Sequence, residues 1–260
     1  MKKIKTKLFT FFEIINPYIF KVLISFFNLK NFLLKRPKIL IFTDSRGFEV
    51  TKFWNRKNPF SSYIKNIVLK YQCTVNVCPE KFTSILDFLD YYESVSYKKF
   101  DKIILHCAIV DFAPRPESSF DSMYESKVDK AKKYFIEEFI SKENRAFGEK
   151  YQGEGTLSFL NYDSLFIKVL PLLKKIPNLV YVGINPVLDD WDGDYWRKRP
   201  ANINDQLILD NLLINEIDEV IDMSNLDREQ IMMYTSDNVH YTKAGFDYIG
   251  NKLLPLLPKL

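Results

Sequence analysis

Between Lys38 and Leu257 the chain alternates short unbroken apolar runs with longer stretches whose apolar positions recur every three or four residues. The first run, "KILIFT" at 38–43, places Ile39, Leu40, Ile41 and Phe42 in sequence. A strand covered on both faces needs that pattern. Comparable runs follow at Thr74–Val77, Lys102–Cys107 ("KIILHC"), Leu179–Ile184 ("LVYVGI") and Glu219–Asp222 ("EVID"). Helical periods separate them: Phe60–Tyr71, with Ile64, Ile67, Val68 and Tyr71 on one face, then Ser84–Tyr92, Lys127–Glu143, Asp163–Lys175, Leu207–Ile217 and Ala244–Leu257. Strands alternating with helices need crossover connections, and right-handed crossovers produce a parallel sheet with helices on both faces. The pattern predicts an α/β domain over residues 37–260, a three-layer αβα sandwich on a five-stranded parallel sheet. Two segments lack a clear period, about 111–126 and 144–158. The second holds Gly148, Gly153 and Gly155 and reads as a mobile loop over a site.

Residues 1–36 follow another pattern, with Phe, Ile and Leu set between lysines. The longest uncharged runs, Ile14–Phe20 and Val22–Leu29, fall short of the roughly 20 apolar residues of a clean membrane span. Glu13, Pro17 and Lys21 break the segment into one or two short helices, lysines at their edges and aromatics on a buried side. Such an extension suits peripheral contact with an anionic membrane, and equally packing against the body or a second subunit. The oligomeric state stays open.

Charge sharpens this division. Met1 to Lys38 carries nine Lys/Arg against Glu13 alone, a net +8, while the whole chain is +4, so the other 222 residues sum to −4. No basic stripe with interleaved aromatics remains in the body, which argues against nucleic acid. An apolar content of 47% with 27% charged residues describes a globular chain. Three cysteines without metal-ligand spacing and only two histidines, His106 and His240, predict no metal and no cofactor. With no small-residue cleavage site after the apolar segment, the expected location is cytoplasmic, at the inner face of a membrane.

The chemistry starts where the first strand stops. Asp44-Ser45-Arg46-Gly47 follows Thr43, and open parallel sheets bind ligands beyond the carboxyl ends of their strands. Ser45 thus stands on the productive edge, although Asp and Ser also open turns and cap helices. A second piece lies at 236–250, "SDNVHYTKAGFDYIG". Asp237 three residues before His240 can hold one ring nitrogen and leave the other for a hydroxyl, as a serine nucleophile requires. Alone, the pair also reads as a helix cap beside a surface histidine.

Together these blocks give the chain a resemblance to the SGNH (GDSL-type) hydrolases over roughly residues 37–257. "IFTDSRG" resembles that superfamily's first block, and "DNVHYTKAG", with Gly245, its last. The resemblance implies the flavodoxin-like strand order, Ser45 as nucleophile, His240 as general base and then acid, and Asp237 as its orienter. The middle blocks depart from it. "NVCPEKFTSILDFL" has no glycine to aim an amide at the oxyanion, Lys81 or a neighbour standing there; "HCAIVDFAPRP" puts Ala108 at the expected Gly, Val110 at the Asn and Asp111 at the Asp. A valine side chain donates no hydrogen bond, and one lost oxyanion donor typically costs about 2.7–4 kcal/mol. Replacement donors are sought among the amides of Ser45 and Arg46 and the side chains of Arg46, Arg115 and Asn185.

Substrate contacts are expected from Asp44 and Arg46, and from Asp111 and Arg115 just past the third strand. An arginine there suits a carboxylate or phosphate, or a structural pair with Asp111 in a proline-bearing loop. Residues 184–206 leave the same edge and carry Trp191, Trp196 and Arg197, which suit a sugar-binding rim if the tryptophans are not core. The expected function is a serine esterase removing acyl, for example acetyl, groups from a carbohydrate. The alternatives are an O-acyltransferase acting on a polysaccharide or its precursor, and a non-catalytic glycan-binding protein.

Overall fold

The computed structural model describes residues 2–142, 145, 148–195 and 197–260. The strands are β1 (Lys38–Thr43), β2 (Gln72–Val77), β3 (Lys102–His106), β4 (Arg115–Pro116), β5 (Gly148–Tyr151), β6 (Glu154–Leu157), β7 (Leu179–Val182) and β8 (Glu219–Ile221). The helices are α1 (Lys2–Leu33), α2 (Ile64–Val68), α3 (Ile85–Val95), α4 (Ile109–Phe112), α5 (Glu117–Lys133), α6 (Glu137–Ile140), α7 (Leu170–Lys174), α8 (Gln206–Glu216), α9 (Arg228–Tyr234) and α10 (Lys243–Leu253). Five strands form a wholly parallel sheet in the order β2-β1-β3-β7-β8, the flavodoxin-like arrangement.

Alternation along the strands explains the three layers. In β1, Leu40 and Phe42 pack with α3, α5 and α8 residues on one face, while Ile39 and Ile41 pack with α2 and α10 on the other. Residues 39–42 are all fully buried, as a central strand covered twice must be.

Three expectations change. The first concerns the N-terminus, which is one continuous helix, α1, and not one or two short ones. Tertiary anchoring overrides the interruption at Pro17. The Asn16 side chain donates to the Trp54 and Arg56 carbonyls (3.0 and 2.6 Å), and Asn31 to those of Val68 and Tyr71 (3.0 and 2.7 Å). The Asn28 amide pairs both ways with the Cys73 backbone (2.8 and 2.6 Å), standing in for a neighbouring strand on the free edge of β2. Phe20 and Phe27 close on Phe60, with centroids 5.4 and 6.0 Å apart.

The second change is α5, which starts at Glu117, inside a segment expected to be irregular, and ends at Lys133 rather than near 143. Its buried face, Phe120, Met123, Lys127 and Ala131, has helical spacing but includes a lysine. Lys127 is buried because it meets Asp87 at 2.6 Å and Glu80 at 2.9 Å, and Lys130 reaches the other Asp87 oxygen at 2.5 Å. Asp87 also completes the capping box with Ser84 that starts α3, so one carboxylate joins two helices. The third change is the segment 148–157, a β-hairpin in a second, antiparallel sheet (β4-β6-β5) and not a loop. Its two turn residues, Gln152 and Gly153, both have positive φ (48° and 85°), as a type I′ hairpin needs.

Gly245 marks a close approach that no side chain tolerates: an added Cβ would lie 2.2 Å from the Tyr234 carbonyl oxygen. Gly245→Ala is expected to lower the urea midpoint by an amount equivalent to about 1–3 kcal/mol, because α10 must shift from the end of α9.

Candidate active site

The end of β1 is built by one aspartate. Asp44 continues the pairing with β3 through its amide, which donates to the His106 carbonyl (3.0 Å), then caps the following turn by accepting from the Arg46 amide (2.9 Å). The chain turns back immediately, and Gly47 lies so close to β1 that a Cβ would fall 2.0 Å from Thr43 Oγ1. Ser45 sits on the crest of this turn, half-buried, at the carboxyl edge of the sheet.

The partner segment folds by the same device. Asp237 Oδ1 accepts from the Val239 and His240 amides (3.0 and 2.7 Å), and Oδ2 meets His240 Nδ1 at 2.7 Å. Asn238 between them adopts φ of 68°, a conformation asparagine tolerates better than most residues. This local turn is why a carboxylate and an imidazole three residues apart can meet. His240 Nε2 then lies 3.0 Å from Ser45 Oγ, joining segments 195 residues apart. Burial pushes the Asp237 carboxyl up, but the bond and charge of His240 and the two amides outweigh it and hold it below 3.8. An ionised Asp237 accepts from Nδ1–H and so keeps the proton on that nitrogen, which leaves the Nε2 lone pair to accept from the Ser45 hydroxyl.

Four of the other expected contacts, Asp44, Arg46, Asp111 and Asn185, are buried in the fold. Asp44 and Arg46 are 1% and 0% exposed, so neither reaches a substrate. Arg46 instead forks onto the Asp44 carboxylate (2.9–3.2 Å) and donates to the Gly183 carbonyl (3.2 Å) beyond β7. Burial alone would lower the Arg46 pKa; the Asp44 charge prevails and raises it. Asp111 is fully buried and accepts from the Ile85 amide at the start of α3 (2.9 Å); burial pushes its carboxyl well above 3.8. Asn185, also buried, donates to the Pro186 and Asn238 carbonyls, both at 2.8 Å. Trp191 is half-buried against the core, and its carbonyl accepts from Asn238, so the ring is only partly exposed. Arg197 is exposed on the same loop, and Trp196 lies outside the described residues.

The same facts thin the list of oxyanion donors. The Arg46 amide, the Arg46 guanidinium and the Asn185 amide are all engaged within the fold. Ser45 N–H opens its turn and so has no intrahelical partner. Arg115 remains as well: its guanidinium lies 5.4 Å from the Phe82 ring centre, and its buried Nε has no partner among the described residues. Ala108, at the position where the resemblance has glycine, keeps a glycine-like φ of 139°, a strained backbone on this rim.

Two residues outside the sequence expectation matter here. Arg199 donates to the Asp237 carbonyl (2.5 Å) and stacks 4.0 Å from the Tyr195 ring centre, bracing the histidine turn; the basic run "WRKRP" was its only signal. His106 is buried at the end of β3 with Nδ1 2.9 Å from Tyr63 Oη, and burial followed by the Arg46 charge drives its pKa far below 6.5. A groove of about 710 Å³ lies between α1 and the free edge of β2, and Ser45 is not among its lining residues.

No family model matches the sequence, and no curated protein matches it. Solved structures share its fold. A lipase/acylhydrolase from Enterococcus faecalis superposes with a TM-score of 0.50 at 12% identity, covering 84% of this chain and 94% of that one. An acetyl xylan esterase superposes more loosely, with a TM-score of 0.42 at 15% identity over 85% of this chain and 100% of the other. At 12% identity the likeness shows a shared α/β fold alone.

Arg46→Met should cost about 3–5 kcal/mol in urea unfolding, since it strands a buried Asp44 carboxylate; Asp44→Asn with Arg46→Met should recover much of that loss. A pH effect follows from Asp237. Its folded pKa lies below the unfolded 3.8, so its stabilisation is present above 3.8 and is lost as pH falls through the lower folded value. Asp237→Asn should therefore flatten this acid limb when urea midpoints are compared across that range.

Proposed function

We propose that this chain is a serine ester hydrolase of SGNH type that removes acyl groups from a carbohydrate through an acyl-enzyme on Ser45. The observation that carries the proposal is the unbroken hydrogen-bond line from Ser45 Oγ through His240 to Asp237. Ser45 Oγ attacks the ester carbonyl carbon as His240 Nε2 takes its proton. The tetrahedral intermediate collapses, and the alcohol leaves with the proton returned by His240. Water then attacks the acyl-enzyme with His240 again as base, and the acid departs as Ser45 regains its proton. Asp237 stays ionised and stabilises the imidazolium in both halves. Ser45 N–H is the backbone candidate for donating to the developing oxyanion, and Arg115 the remaining side-chain candidate.

The fold neighbour named a lipase/acylhydrolase would use chemistry of this kind. Support for a sugar comes from the loop after β7, where Asp189, Asp190, Asp192, Asp194 and Arg197 are exposed. With Trp191 half-buried, that support rests more on polar groups than on stacking. A sugar hydroxyl in place of water would make the same acyl-enzyme a transferase, and partition of product between acid and acylated sugar separates the two. One observation favours a non-catalytic glycan binder: Val110, half-buried, stands where the resemblance has a donating asparagine.

Intact mass after incubation with a fluorophosphonate should show a single adduct on the wild type and none on Ser45→Ala or His240→Ala. Asp237→Asn should label more slowly, by roughly three to four orders of magnitude. A folded wild type that takes no adduct, or labelling that persists in Ser45→Ala, would remove the hydrolase reading.

A further inference from the structure

Helix α1 is apolar on two sides, unlike an ordinary surface helix: Phe9, Phe12, Phe20 and Phe27 pack on Phe53 and Phe60 of the body, and a second apolar strip faces outward. Its asparagines face the protein: Asn16 and Asn31 are buried, and with Asn28 they hydrogen-bond the backbone of the body. Its outward face is apolar. Tyr18 and Val22 are 70% exposed, Phe26 66%, Leu29 61%, Phe32 64% and Leu33 72%. More than half of the exposed large hydrophobic side chains among the described residues fall between Leu8 and Leu34. A soluble monomer rarely exposes so long an apolar strip without a surface to bury it on.

Charge identifies that surface. Glu13, the only acid in α1, is 3.9 Å from both Arg56 and Lys57 of the body, so its charge is countered there. Lys21 and Lys30 are exposed at the margins of the apolar strip, and the first 38 residues carry a net +8. An apolar face bordered by lysines matches the boundary between acyl chains and anionic headgroups. Trp54, 49% exposed in the loop that Asn16 fastens to α1, adds an aromatic of the type found at that boundary.

Leu8–Leu33 is long and apolar enough to cross a membrane by length and composition. The contacts with the body decide otherwise. They run from Phe9, against Phe53, to Asn31, about 33 Å of helix axis. A helix fastened along that length to a globular domain cannot thread the bilayer. We infer that α1 is an interfacial helix that lies flat on an anionic lipid surface and holds the domain there. Because the N-terminal half of α1 touches the loop that follows Ser45 and Gly47, the helix also sets how the catalytic edge is oriented to the membrane.

The test is flotation of the full chain with phosphatidylcholine vesicles, with and without phosphatidylglycerol. Binding is expected to need the anionic lipid, to weaken with salt, and to be reversed by alkaline carbonate. Val22→Asp with Phe26→Asp alters only outward side chains and should reduce binding roughly tenfold or more while the melting temperature holds. Lys21→Glu with Lys30→Glu should remove the preference for anionic vesicles. Unchanged binding in Val22→Asp/Phe26→Asp would overturn the inference, and so would resistance to carbonate, which marks a spanning helix. A stable dimer without lipid affinity, dissociated by the same two aspartates, would assign the face to a second copy of the chain.

Discussion

A single ion pair with no access to water organises the carboxyl edge of the central sheet. Asp44 and Arg46 flank Ser45 in sequence, and both are buried while Ser45 is half-buried. Two charges removed from water are tolerated only with near-ideal geometry. The fork between them meets that demand and gives the Gly183 carbonyl a charged donor as well. The consequence is positional. Strand ends β1 and β7 are tied through one guanidinium, and the turn carrying Ser45 has little freedom to drift.

The histidine side depends on that rigidity. His240 is held by the Asp237 turn, which is braced by Arg199, by Asn238 reaching back to the loop after β7, and by the Asp194 amide on the Ser236 carbonyl. Two separately fixed turns therefore meet at 3.0 Å with no adjustment left to long flexible side chains. Pre-positioning of this kind favours acyl transfer, where small misplacements are costly. The unusual feature is the neighbouring rim. There Val110 and Arg115 are half-buried, the Arg115 Nε is unpartnered among the described residues, and Ala108 keeps a φ of 139°.

The polar positions that contribute most to the interior are those a composition-based reading would send to the surface. Lys127 is buried between two carboxylates, Asp111 accepts from the start of α3, and Asn16, Asn28 and Asn31 add hydrogen bonds to the aromatic seam beneath α1. Each meets a group far away in sequence, which local pattern cannot reveal. The two-sided apolar character of α1 has the same origin: some of its aromatics pack on the body beside the asparagines, and others are left facing outward.

By itself the sequence determined the sheet and marked the two segments, around Ser45 and around Asp237–His240, that the fold brings together. Unbroken apolar runs can be satisfied only by strands covered on both sides, and their alternation with helical periods leaves few topologies. The Asp-x-x-His spacing was legible because the turn that unites its members is local. Tertiary structure alone decided that Ser45 faces His240, that Asp44, Arg46, Asp111 and Asn185 belong to the framework, that 117–126 is helical and 148–157 a hairpin, and that α1 is continuous. In each case the deciding partner is a backbone group or an opposite charge brought near by the fold, and burial then sets how strongly that partner acts.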